Sequence, residues 1–276
     1  MSLRIVNANK TENSDLWKAL KGGSTNFGIV TRFDLQAFDA PLLWGGLVTY
    51  TTETTDAHVE AYKNWTDNIE NYQDGSVIPF WSYTPEAGKI GITVSYEDTT
   101  GVASPKALDA FWQIPYETSN LRKDSHRSMT VELELVAGYR DWKAQSPDGD
   151  FICHAIFQAM PTIFSKHSLE RGGNVAGLDR EKDNAVMFQV QHMVNGVEQE
   201  KLARERMVKF RQTMKQFSVD EDAAVEWEYL NYADFTQDPL STYGSENVEF
   251  IREVANKYDP EQVFQTRFPG GFKISK

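Results

Sequence analysis

Residues 16–35, LWKALKGGSTNFGIVTRFDL, change backbone habit twice within one short stretch. Ser14 offers a capping hydroxyl and Asp15 an acid in the first turn, so residues 15–20 predict a short helix that Gly22 and Gly23 end. From 28 to 38, Ile29, Thr31, Phe33 and Leu35 alternate with Val30, Arg32 and Asp34, the period of a strand with one wetter face. Glycines in the intervening turn let a backbone come close to a ligand, and free N–H groups there favour an anion or a polar ring edge. The same glycines would equally serve only to reverse the chain after a helix.

Working outward, β-prone runs predict strands at 43–51, 77–83, 89–97, 150–160, 185–194 and 225–232. Apolar residues at three- and four-residue intervals predict helices through Ala57, Ala61, Trp65, Ile69 and Tyr72, and through Ala203, Met207, Phe210, Met214 and Phe217. Cations off the latter stripe read as a solvated face. Shorter helices are predicted around 106–112, 129–137, 164–170 and 245–258. This order predicts an α+β fold, a largely antiparallel sheet covered by helices.

Composition narrows the function classes. A net charge of −12 opposes binding to a phosphate backbone, so nucleic acid is not an expected partner. No run approaches the ~18 apolar residues of a membrane span, and MSLRIVNANK has no apolar signal-peptide core; a cytoplasmic location follows if that start is native. The one cysteine, Cys153, excludes an intrachain disulfide, and the five histidines show no metal-site spacing, so no metal is expected. The chain has no G-x-S-x-G elbow, phosphate loop, G-x-G-x-x-G fingerprint or H-E-x-x-H helix. Hydrolase, kinase-like and nicotinamide-dehydrogenase readings lose their usual support.

Within MFQVQHM, strand alternation puts Gln189 and Gln191 on one face and His192 on the other. Two amides side by side in a strand are costly unless they meet partners, so that face is expected to meet a polar ligand, another polar strand or water. His154 and Gln158, in ICHAIFQAM, form a similar pair.

Residues 15–31, DLWKALKGGSTNFGIVT, together with WEYLNYAD at 227–234 and the tail VFQTRFPGGFKI, resemble the berberine bridge enzyme type of FAD-linked oxidase, in the vanillyl-alcohol oxidase superfamily. Ser24 and Thr25 replace glycines of that family's commonest loop. The resemblance implies that Gly23, Asn26, Phe27, Gly28 and Ile29 contact FAD, largely through main-chain groups, and that Asn231 lies against the flavin. It implies Tyr232 as the base that removes a substrate hydroxyl proton, and Gln189, Gln191 and Tyr229 as substrate-side residues. A regular strand at 225–232 would point Tyr229 and Tyr232 to opposite faces.

The resemblance divides the chain into 1–40 and 226–276, remnants of an FAD-binding domain, and 41–225, a substrate-binding domain. The pyrophosphate loop and covalent flavin anchor of that family have no counterpart among these residues, so the chain alone is not expected to retain FAD. Two readings follow. One is an FAD-dependent oxidase of an alcohol or amine carbon in a small organic substrate, here an incomplete and inactive portion. The other is a flavin-free module that binds a small molecule or partner.

Overall fold

The computed structural model describes residues 4–37, 42–84, 87–125 and 151–274, which form two compact units. The predicted helix at 129–137 lies outside the described residues. One unit comprises residues 37–161 and 184–224, the other residues 1–36, 162–183 and 225–276.

The first of these units is built on a seven-stranded sheet. Its strands are β1 (Leu43–Tyr50), β2 (Gly75–Tyr83), β3 (Ile90–Asp98), β4 (Thr118–Ser119), β5 (Arg122–Asp124), β6 (Phe151–Met160) and β7 (Ala185–Val194). The order is β4-β1-β3-β2-β6-β7, with β5 also on β1, and every pairing is antiparallel, as the α+β pattern predicts. Because side chains alternate along each strand, register decides what each face carries.

Trp44, Val48 and Tyr50 of β1, Ile92, Val94 and Tyr96 of β3, and Val77 of β2 share one face and the apolar core. Helix α2 (Thr55–Asn68) buries Ala61, Tyr62 and Trp65 in that core, and α3 (Asp109–Trp112) adds Phe111. The predicted stripe holds at Ala61, Trp65 and Ile69 and differs at its start, where His58 is buried and Ala57 exposed. The long helix after β7, residues Val197–Asp220, meets the same face where Phe210 approaches Phe188 at 6.1 Å. Its stripe is only half-buried, with Phe217 57% exposed.

The second unit is helical: α1 (Ser14–Ala19), α4 (Thr162–Glu170), α6 (Ser245–Tyr258) and α7 (Val263–Thr266), the Val197–Asp220 helix being α5. Leu16, Ala19 and Phe27 from the front pack with Val175 from the middle and with Leu240, Tyr243, Ile251 and Val254 from the back. The stretch 162–183 therefore departs from the contiguous 41–225 division. Val175 donates its N–H to Lys21 O at 3.1 Å, and Trp227 donates Nε1–H to Ala176 O at 2.9 Å.

Three local expectations are corrected. Asn13, with φ 46°, occupies the N-cap of α1, and Ser14 is the first helical residue rather than the cap. The predicted strand at 28–38 is not a strand over its described part. Residues 28–36 make no backbone–backbone hydrogen bond among the described residues, and alternation without a partner makes no ladder. Ile29, Phe33 and Leu35 are largely exposed there. Nor do residues 225–232 form a strand: Glu228 N–H goes to Thr242 Oγ1 instead of a neighbouring strand, and residues Leu230–Tyr232 close a 3₁₀ turn.

His58 illustrates what the core demands. It is fully buried between the edges of Tyr50 and Trp81, with Nδ1 on Thr54 O at 2.9 Å and Nε2 sealed without a partner. Burial pushes its pKa below the ordinary 6.5, against the hydrogen bond to Thr54, so the native state holds it neutral. Below about pH 6.5 the unfolded chain takes up a proton that the native state refuses, so stability falls with pH in that range. We predict that the urea midpoint drops between about pH 7 and pH 5, and that His58→Leu flattens the slope by up to ~1.4 kcal/mol per pH unit, as read from denaturation curves at each pH.

Candidate functional site

In the helical unit, the loop after α1 is organised by its own polar side chains. Asn26 is fully buried; its Nδ2 donates to Gly23 O at 2.7 Å and Phe272 O at 3.1 Å, while its Oδ1 accepts from Gln265 Nε2 at 2.8 Å. Ser24 Oγ accepts from Phe272 N–H at 3.0 Å. Thr25 Oγ1 donates to Gly270 O at 2.7 Å and accepts from Lys273 Nζ at 2.9 Å. The front segment and the tail, far apart in sequence, are thus laced together.

The five loop residues divide into two groups. Gly23 answers to packing, because a Cβ there would stand 2.4 Å from Ala19 O and 2.6 Å from the Phe27 ring. Phe27 is buried in the core of this unit, and Asn26 spends its amide on the chain itself. Gly28 and Ile29 are different: a Cβ at Gly28 would meet nothing within 4 Å, and Ile29 is 75% exposed. Of the five, these two are the ones that packing leaves open.

The 3₁₀ turn at Leu230–Tyr232 changes the geometry of the second cluster. In such a turn residues three apart eclipse. The rings of Tyr229 and Tyr232 meet edge to face at 4.9 Å instead of pointing apart as strand alternation predicted. Asn231 Nδ2 donates to Tyr229 Oη at 2.9 Å, and Tyr229 stacks on Trp227 at 5.6 Å. Tyr232 is half-exposed, and no cation or hydrogen-bond donor meets its hydroxyl among the described residues.

Arg180 anchors this region. Its Nη2 donates to Thr242 O at 2.6 Å and Glu226 O at 3.4 Å, and its Nε donates to Gly177 O at 3.0 Å. Nothing in the glycine-rich sequence around it signalled that role, because all its partners are carbonyls.

In the sheet unit, the face opposite the helices carries a row of polar groups among apolar ones. Register aligns His154 with Gln191 and with Ser82, and Ile156 with Gln189 and with Phe80. His154 Nδ1 and Ser82 Oγ are 2.6 Å apart. Farther along, Ser95 donates to Glu97, whose carboxyl burial pushes upward against the hydrogen bonds from Ser95 and Ser76. Gln189 and Gln191 therefore share a face with His154 and Gln158, while His192 faces the other way beside Cys153. The Ser82 contribution was not legible, because the pairing of β2 with β6 leaves no mark in either strand alone.

Among the described residues no group of three or more His, Cys, Asp or Glu is placed to hold a metal ion, and no helix is long and apolar enough to cross a membrane.

No family model matches the sequence. The chain is 33% identical to the FAD-dependent monooxygenase sdcF of Emericella nidulans, covering 99% of this chain and 63% of that protein. It is 32% identical to the FAD-dependent monooxygenase drtC of Aspergillus calidoustus, covering 99% of this chain and 57% of that one. The fold is similar to that of a xylooligosaccharide oxidase from Myceliophthora thermophila (TM-score 0.65, 17% identity, 99% of this chain and 64% of that one). It is also similar to 6-hydroxy-D-nicotine oxidase from Arthrobacter nicotinovorans (TM-score 0.64, 15% identity, 96% and 62%).

The Asn26 amide is a sensitive point. Asn26→Ala would leave Gly23 O, Phe272 O and Gln265 Nε2 without their partner in a buried setting, for which we predict a loss of about 2–4 kcal/mol by urea denaturation. The chain spans about three fifths of the length of these relatives; its homologues are FAD-dependent monooxygenases, and its fold is that of solved oxidases.

Proposed function

We propose that this chain is part of an FAD-dependent oxidoreductase acting on an alcohol or amine carbon of a small organic substrate. The observation that carries the reading is a sheet with helices on one face and a polar row, Ser82, His154 and Gln191 with Gln189 beside it, on the other. Sequence similarity to FAD-dependent monooxygenases along nearly the whole chain supports it.

Bound FAD would accept hydride from the substrate carbon and pass the electrons to dioxygen. The residues that would hold it are the exposed backbone of Gly28 and Ile29 and the amide of Asn231; Gly23, Asn26 and Phe27 keep that loop in shape. Gln189 and Gln191 would orient the substrate through their amides, with Tyr229 bordering it by way of Asn231. Tyr232 would take the hydroxyl proton at Oη. A hydrogen bond from the substrate hydroxyl to Oη, made on binding, would align that transfer.

Ser24, Thr25 and Asn26 are committed to the tail, so the affinity of these residues for FAD rests on few contacts. We predict that the purified chain is colourless and that added FAD shows saturable fluorescence quenching with a Kd weaker than about 1 μM. Complete absence of quenching at high FAD concentration would favour the flavin-free binding module instead. In an active, FAD-loaded form, Tyr232→Phe is predicted to slow flavin reduction about 100-fold or more with FAD affinity unchanged. Unchanged reduction in stopped flow would remove Tyr232 from the chemistry.

A further inference from the structure

We propose that Ser82 and His154 form a recognition pair that reads a ring-borne hydroxyl group of the substrate through His154 Nε2. The inference deepens, and rests on, the assignment of the substrate to the polar face of the sheet.

Two histidines of the same unit show what distinguishes a ligand-facing imidazole from a structural one. His58 caps a helix carbonyl with Nδ1 and is sealed in the core, where nothing can reach Nε2. His154 is held by Nδ1 on Ser82 Oγ at 2.6 Å, yet it remains only half-buried, and no partner meets its Nε2 among the described residues. The hydrogen bond on Nδ1 fixes the ring plane and leaves Nε2 as the free end.

The surroundings define the ligand. In register, His154 lies between Ser82 and Gln191, with Phe80, Ile156 and Gln189 in the next row of the same face. A line of hydrogen-bonding groups beside an aromatic and an aliphatic side chain suits a flat, hydroxylated ring system.

No charged residue occurs in 80–82, 152–158 or 187–193, so an ionic ligand finds no counter-charge there. Tyr83, Cys153 and His192 lie on the opposite face, and Glu97 lies farther along β3. Burial, with no charged neighbour contributing, pushes the His154 pKa below its ordinary value, so the ring is neutral at neutral pH. A hydroxyl can then donate to Nε2 while the serine hydroxyl accepts from Nδ1–H.

The test uses the 276-residue chain without flavin, with 2-naphthol and its methyl ether, 2-methoxynaphthalene, as probes. Imidazole ¹⁵N spectra are recorded, and the His154 signals are identified by their loss in His154→Gln. We expect 2-naphthol to shift the Nε2 signal saturably and to bind about tenfold more tightly than the ether, the difference one hydrogen bond makes. That preference should vanish in His154→Gln. It should shrink in Ser82→Ala, whose His154 signals should also show mixed tautomers.

Equal binding of the two probes, no shift of Nε2, or an unchanged preference in Ser82→Ala would overturn the proposal, and the serine variant keeps the test decisive if His154→Gln does not fold. Because no flavin is present, loss of naphthol preference and failure of the FAD titration are separate results. Either can occur with the other reading intact.

Discussion

An antiparallel sheet with alternating side chains can give one face to helices and must leave the other to different chemistry. In this protein α2, α3 and the helix Val197–Asp220 all take the face of Trp44, Val94, Tyr96 and Phe188, so every polar residue that alternation puts opposite them stays off the helical core. The position of His154, Gln189 and Gln191 follows from that one-sided burial. A one-residue slip of β6 against β2 would turn His154 into the aromatic core and break its bond to Ser82.

The helical unit depends on a different device. Its core draws on three stretches of chain, and the buried side chain among those joining the first to the last is Asn26, whose amide satisfies groups at residues 23, 265 and 272. Lys257 and Tyr258 reinforce the join by bonding Asp15. This clarifies the division within the glycine loop. Residues that read as one ligand-binding motif separate into those that hold the loop and those, Gly28 and Ile29, that present it.

Where local periodicity and tertiary partners agree, the sequence was informative. Residues 185–194 and 245–258 were read with the bounds the structure shows, because their patterns are long and their flanks are marked by glycine or proline. Residues 28–38 and 225–232 misled for one shared reason. Alternation describes a face, and a strand also needs a neighbour to take its N–H and C=O groups; among the described residues neither segment has one. The 3₁₀ turn at Leu230–Tyr232 then placed Tyr229 against Tyr232, a proximity that strand logic excluded.

By itself the sequence determined the α+β class, the antiparallel habit, the lack of a disulfide within these 276 residues and the chemical kind of residue on each strand face, since these follow from residue order and period. Tertiary structure alone decided that 162–183 joins the terminal segments, that Asn26 is committed to the tail and that Ser82 reaches His154. Each of these contacts joins residues far apart in the chain. Register and packing across that distance are set by the whole core, and no local pattern encodes them.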